Sequence, residues 1–129
     1  MLLALDAGNT NITIGAFDGS KLTGRWRLST VHEQTADEWG ILFRNIFSLA
    51  GLKLDDVDGI IVASVVPPLE ASLAEMARRY FRTEAVFVRP ATDTGLAIRY
   101  ENPPEVGADR VVNAVAAFHK YGGPCVVVD

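Results

Sequence analysis

Two short stretches of this sequence combine residue types that can handle a phosphorylated ligand. The first is Asp6-Ala7-Gly8-Asn9-Thr10. A carboxylate at a strand end can reach a hydrated magnesium ion, which keeps several waters and needs few protein ligands. Gly8 lets the backbone approach a phosphate closely, and successive amides from Gly8 to Thr10 can cradle it. Asn9 and Thr10 add neutral donors, so negative charge is accepted without a lysine. The same residues also make an ordinary hairpin, since Gly-Asn-Thr is favourable turn chemistry. The second stretch is Gly107-Ala108-Asp109-Arg110, entering a segment with helical periodicity. The free amides and dipole of a helix start favour an anion there. Arg110 can grip a carboxylate, and Asp109 can accept a proton from a hydroxyl. In purely structural roles Asp109 would be an N-cap and Arg110 a solvated charge. Residue chemistry alone leaves both roles open at both stretches.

Composition narrows the classes of function. The 129 residues are 49% hydrophobic and 22% charged, the values of one ordinary globular domain with one core. A net charge of -4 provides no broad basic surface for nucleic acid, so an anionic ligand needs local help from a helix start, a glycine turn or a cation. The single cysteine, Cys125, excludes an internal disulfide and a cysteine-cluster metal site. Within Cys-Val-Val-Val it reads as a buried strand residue. Asp6 interrupts the apolar start of the chain and no basic segment precedes it, so no secretory signal is expected. The apolar runs are short for a membrane span. The expected location is the cytoplasm, with neither membrane nor nucleic acid as a partner.

The elements that must position the two stretches follow from the patterning. Leu2 to Asp6, Asn11 to Asp18 and Lys21 to Ser29 read as three consecutive strands, with Asp18-Gly19 as a tight turn and Leu22, Trp26 and Leu28 inward. Thr35-Ala36-Asp37-Glu38 matches a capping box. It opens a helix with Trp39, Leu42, Phe43, Ile46, Phe47 and Ala50 on one face, stopped by Gly51. Gly59 to Ser64 is a continuous apolar run, expected to be a strand buried on both faces. Pro67 and Pro68 open a helix that buries Leu69, Leu73, Met76 and Tyr80. Ala85 to Val88 is a further strand, and residues 93 to 105 are loop. A helix from Asp109 runs through Val112, Val115, Ala116 and Phe118, with Phe118 expected in the core, and closes at Gly122-Gly123. Cys125 to Val128 starts another strand. A meander followed by strand–helix alternation implies an α/β fold with a mixed sheet, antiparallel on one side and parallel beyond, flanked by helices.

A strand, the Asp6 to Thr10 turn and a three-strand meander together resemble the acetate and sugar kinase, heat-shock protein 70 and actin superfamily. The resemblance implies a ribonuclease H-like lobe, with ATP held between two such lobes and the first phosphate motif on this turn. A second match is narrower: Tyr100-Glu101-Asn102-Pro103-Pro104-Glu105-Val106-Gly107-Ala108-Asp109-Arg110 resembles the substrate segment of type III pantothenate kinases. That family phosphorylates pantothenate with ATP in the first step of coenzyme A biosynthesis. The resemblance assigns the ATP phosphates to Asp6, Ala7, Gly8, Asn9 and Thr10 and, past the turn, to Asn11, Ile12 and Thr13. It assigns magnesium, through water, to Asp6. Pantothenate falls to Tyr100, Gly107, Ala108, Asp109 and Arg110, with Asp109 as the catalytic base. Asp129 matches an aspartate that opens the second phosphate motif and helps hold a potassium or ammonium ion. The glycine–threonine turn expected after Asp129 is absent from this sequence. The implied domains are residues 1–123 as the first lobe and 124–129 as the opening strand of a second, and the implied assembly is a homodimer. Other readings are a kinase of another small hydroxylated metabolite, a non-catalytic regulatory module, or a lobe that folds but binds nothing tightly.

The remaining polar residues suggest less. His32 and His119 are far apart and unpaired in sequence, Arg78, Arg79 and Arg82 follow one helix as a solvated face, and Asp55, Asp56 and Asp58 read as a polar loop.

Overall fold

Strand β1 (Leu2–Ala7) sends Leu3, Leu5 and Ala7 to one face and Leu2, Ala4 and Asp6 to the other. The computed structural model, which describes residues 1–128, pairs β1 along both edges. β2 (Asn11–Asp18) lies antiparallel on one side and β4 (Gly59–Ser64) parallel on the other. β3 (Lys21–Ser29) continues the meander and β5 (Ala85–Phe87) the parallel half, giving one five-stranded sheet of order β3-β2-β1-β4-β5. This is the mixed, ribonuclease H-like sheet expected from the sequence.

Helices α1 (Ala36–Leu49) and α2 (Pro67–Phe81) cover one face. The α1 start is the expected capping box: Glu38 N–H donates to Thr35 Oγ1 at 3.3 Å, and Thr35 N–H to Glu38 Oε2 at 2.8 Å. The Thr35 backbone bond and then its hydroxyl hold the Glu38 carboxyl below the usual carboxylate range. From that start, Trp39, Phe43 and Phe47 fall in line one turn apart and are fully buried. Phe47 stacks on Trp26 of β3, and Phe81 of α2 meets Phe43 and Phe47 edge-on, so three elements share one aromatic cluster. Ala50 departs from the expected face: it is the helix C-cap and is exposed. Across the α1–α2 contact, Tyr80 Oη–H donates to Asp37 Oδ1 at 2.7 Å and Arg79 to the same oxygen at 3.0 Å. The Tyr80 hydroxyl, then Arg79, holds the Asp37 carboxyl below its ordinary range.

The opposite face is thinly covered. There α3 (Ala108–Tyr121) packs through a small cluster of Ala63, Val88, Ala108 and Val111, joined by Ile98 and Val106 from the segment before it.

Three further expectations are corrected. Leu22 is 48% exposed and does not point with Trp26 and Leu28. Ala16 pairs with Gly24 but Phe17 with Leu22, so Thr23 is an extra residue and the β-bulge turns Leu22 to the other face. Phe118 is 51% exposed rather than core, because α3 has one thin neighbour layer and its last turns extend beyond it. Cys125 to Val128 form no strand and are exposed, Cys125 included. A strand needs a paired neighbour, and the described sheet ends at β3 and β5 without them.

Gly40 is needed where the helices touch, since a Cβ there would lie 2.5 Å from the Tyr80 ring. Gly40→Ala trades about 1 kcal/mol of helix propensity against roughly 1–3 kcal/mol of overpacking. We expect a net loss of stability by urea denaturation in the native background. In a Tyr80→Ala background the same substitution should stabilise; destabilisation in both would place the clash elsewhere.

Candidate active site

The parallel strands β1, β4 and β5 end at one edge of the sheet, and α2 begins there only two residues after β4. The start of α3 is at the same edge, since a Cβ on Gly107 would come within 3.4 Å of Val65 Cγ1. Two helix N-termini therefore open beside the end of β1, an arrangement that favours anions. Ala7 carbonyl accepts from Val65 N–H at 3.1 Å, and Ser64 Oγ accepts from Val66 N–H at 3.1 Å, fixing the chain between β4 and α2. On the rim, Arg89 donates with both terminal nitrogens to the Glu70 carboxylate, at 2.8 and 2.5 Å.

The turn from Gly8 to Thr10 is a hairpin and more. Gly8 N–H donates to the Asn11 carbonyl at 3.0 Å, closing the β1–β2 ladder. The expected cradle of amides from Gly8 to Thr10 therefore loses its first member, and Asn9 and Thr10 remain as the donors of the turn. Glycine is required at position 8 by close approach, since a Cβ would sit 3.1 Å from the Asn11 oxygen. Thr30, just past β3, clasps the turn: its hydroxyl donates to the Gly8 carbonyl at 2.6 Å and its amide to the Thr10 carbonyl at 2.9 Å. Sequence reasoning missed Thr30, because a threonine after a strand has no local signature and its partners lie twenty or more positions away.

Asp6 lies opposite Thr13 on the β1–β2 pair, with its side chain on the α3 face of the sheet. The two residues share a cavity of about 480 Å³ with Gly15, Phe17, Arg25 and Val112 of α3. The sheet thus brings Asp6, Thr13 and α3 to one side. Ala7 and Ile12 are elsewhere: their side chains are fully buried in the main core, leaving only their backbones near the turn. Asn9 and Thr10 are exposed and Asn11 is half-buried at the start of β2.

The capping role for Asp109 is not what forms. Gly107 is the N-cap of α3 and Asp109 the second helical residue, its Oδ1 accepting from Arg110 N–H at 2.8 Å. Asp109 is half-buried, while Arg110 and Tyr100 are exposed, Tyr100 in the loop before the short turn Pro103–Glu105. The other polar groups behave as expected. Arg78 pairs with Glu84, Arg79 with Glu75 and Asp37, and Asp58 with the N-terminal amine at 3.0 Å. Among the described residues, no His/Cys/Asp/Glu cluster fit for a metal ion occurs and no helix is long and apolar enough to cross a membrane. The cation role of Asp129 lies outside the described residues.

Residues 2–129 match the family model described as type III pantothenate kinase. A type III pantothenate kinase of Solibacter usitatus is 71% identical over 129 residues, which are 100% of this chain and 49% of that protein. The one from Anaeromyxobacter sp. (strain K) is 54% identical over all of this chain and 51% of its own length. The chain spans about half the length of these curated relatives. Among solved structures, a crystal structure from Porphyromonas gingivalis described under the name N-acetylglucosamine kinase superposes with a TM-score of 0.51 at 19% identity. It covers 73% of this chain and 37% of that one, a likeness of fold alone.

The space around Asp109 is tight enough to test. A Cβ on Gly107 would collide with Asp109 Oδ1, so Gly107→Ala must turn the carboxylate off the Arg110 amide. The Arg110 amide then keeps only its longer bond to the Gly107 carbonyl, at 3.1 Å, so we expect faster solvent exchange there and a stability loss on the order of 1 kcal/mol. An Arg110 amide that exchanges at the native rate would show that the carboxylate keeps its place.

Proposed function

This chain belongs to the type III pantothenate kinase family, and we propose that it is the lobe of such a kinase that holds the ATP phosphates and pantothenate. The whole protein then transfers the γ-phosphoryl group of ATP to the primary hydroxyl of pantothenate, opening coenzyme A biosynthesis. The observation that carries this reading is the shared edge and face of the sheet. The phosphate turn ends β1, α3 starts alongside with Asp109, and Asp6 lies on the face that α3 covers.

The residues fit the groups they would hold. Gly8 admits close approach, Asn9 and Thr10 present amides, and Asp6 offers a carboxylate for a hydrated magnesium ion. Bound there, magnesium would neutralise charge on the phosphate oxygens. Arg110 is exposed at the start of α3 and supplies a fork for the pantothenate carboxylate, with Tyr100 and Gly107 to Ala108 lining its path. Asp109 takes the hydroxyl proton as the acceptor oxygen bonds to the γ-phosphorus and the bond to the ADP oxygen breaks. The transition state is loose, so most of the work is positioning and charge neutralisation, and the base contributes toward the low end of about 10²–10⁴-fold. Completion of the site by a second lobe, with Asp129 serving a potassium or ammonium ion, assembly as a homodimer and a cytoplasmic location belong to the same proposal.

Asp109→Asn retains an oxygen for the Arg110 amide but removes the base. In the two-lobed protein kcat should fall about 100-fold with little change in Tm. A collapsed Tm with kcat per folded molecule intact would return Asp109 to a structural role. Asp6→Ala should weaken magnesium-dependent turnover, and unchanged kcat with unchanged magnesium dependence removes Asp6 from the site. The 129-residue chain alone should show no ATP- and pantothenate-dependent turnover in a coupled assay, because a turn and one carboxylate leave the nucleotide wet and poorly ordered. Clear turnover would show that one lobe suffices.

A further inference from the structure

We infer that Thr30 is a positioning residue for the phosphate turn, one that sets the direction of the Asn9 amide; the inference rests on the kinase reading above. The last paired residues of β2 and β3 are Asn11 and Ser29, so Thr30 stands one step beyond the ladder, beside Thr10. Its amide continues the ladder by donating to the Thr10 carbonyl at 2.9 Å. Any residue except proline could supply that bond. The hydroxyl does something only serine or threonine could do: it donates to the Gly8 carbonyl at 2.6 Å, at the short end for O–H···O.

The Gly8 carbonyl and the Asn9 N–H belong to one planar trans peptide unit, in which C=O and N–H point in opposite directions. Drawing the carbonyl toward β3 therefore aims the Asn9 N–H away from it. Gly8 N–H is already used by the Asn11 carbonyl, so Asn9 N–H is the first donor of the turn left for a ligand. A peptide unit free to rotate would present its oxygen to a phosphate for part of the time, and a carbonyl dipole repels an anion. Thr30 removes that alternative. A hydroxyl with a purely structural role would add to stability and leave nucleotide affinity alone.

The test uses the two-lobed protein and Mg·ATP as the probe, with affinity read by calorimetry in the absence of pantothenate. Thr30→Val keeps the shape and deletes the donor; Thr30→Ser keeps the donor and deletes a methyl. Thr30→Val should raise the Kd for Mg·ATP about 3- to 10-fold, the worth of one hydrogen bond, with Thr30→Ser within about 2-fold of native. KM for ATP should follow Kd while KM for pantothenate stays fixed. Thr30→Ala, expected to behave as Thr30→Val, replaces it should the valine variant fail to fold. Native affinity in the donor-less variant, or a lowered Tm with native affinity, overturns the inference. If the native protein binds Mg·ATP without phosphorylating pantothenate, the acceptor reading fails and the affinity ratio still judges Thr30. If it binds no nucleotide, both fail.

Discussion

β1 carries hydrogen bonds along both edges, antiparallel to β2 and parallel to β4, and its side chains alternate between two unlike environments. Leu3, Leu5 and Ala7 are at most 3% exposed under α1 and α2, while Asp6 lies on the other face. A one-residue slip would reverse every side chain. It would drive the Asp6 carboxylate into the aromatic core, at a cost of several kcal/mol, and expose Leu5. The register of β1 is thus held from both sides. With it are fixed the Gly8 turn, the Ala7 carbonyl that anchors Val65, and the edge where α2 and α3 begin.

The two faces of the sheet are covered unequally, and the candidate site follows that inequality. On one face α1 and α2 bury a continuous aliphatic and aromatic layer that reaches from Leu3 to Phe81. On the other, Ala108 and Val111 of α3 meet Ala63 and Val88 in a cluster of only four buried side chains, and a cavity of about 480 Å³ remains beside Asp6. A binding group needs a backbone that does not move and a side chain that can still be reached. Asp6 has both, since its strand is locked by one layer and its carboxylate faces the thinner one. The Thr23 bulge adds to the second face by turning Leu22 beside Phe17, so its apolar lining extends to the edge strand.

Most of the architecture was legible in the sequence, since local rules act within a few residues. Thr35 to Glu38 specified the start of α1, Pro67-Pro68 opened α2, and the Gly59 to Ser64 run gave the buried parallel strand. At the site, the need for glycine at position 8 and the closeness of Asp109 to a helix start could also be read directly. Whether Asp109 capped that helix could not, because Gly107 takes the cap and Asp109 falls inside the first turn.

What the sequence by itself determined is therefore the set of elements, their order and the chemistry available at two turns. Those follow from periodicity, capping and turn preferences that each span one to four residues. Tertiary structure decided everything that needs a partner distant in the chain. An extra residue at Thr23 has no signature until β2 and β3 are laid side by side, and only then does Leu22 change faces. Phe118 and Cys125 to Val128 are apolar enough for a core, yet burial requires a neighbour, and the described sheet and helices place none over them. The clasp of Thr30 on Gly8 spans 22 positions, and the closure of the meander alone brings that hydroxyl to that carbonyl.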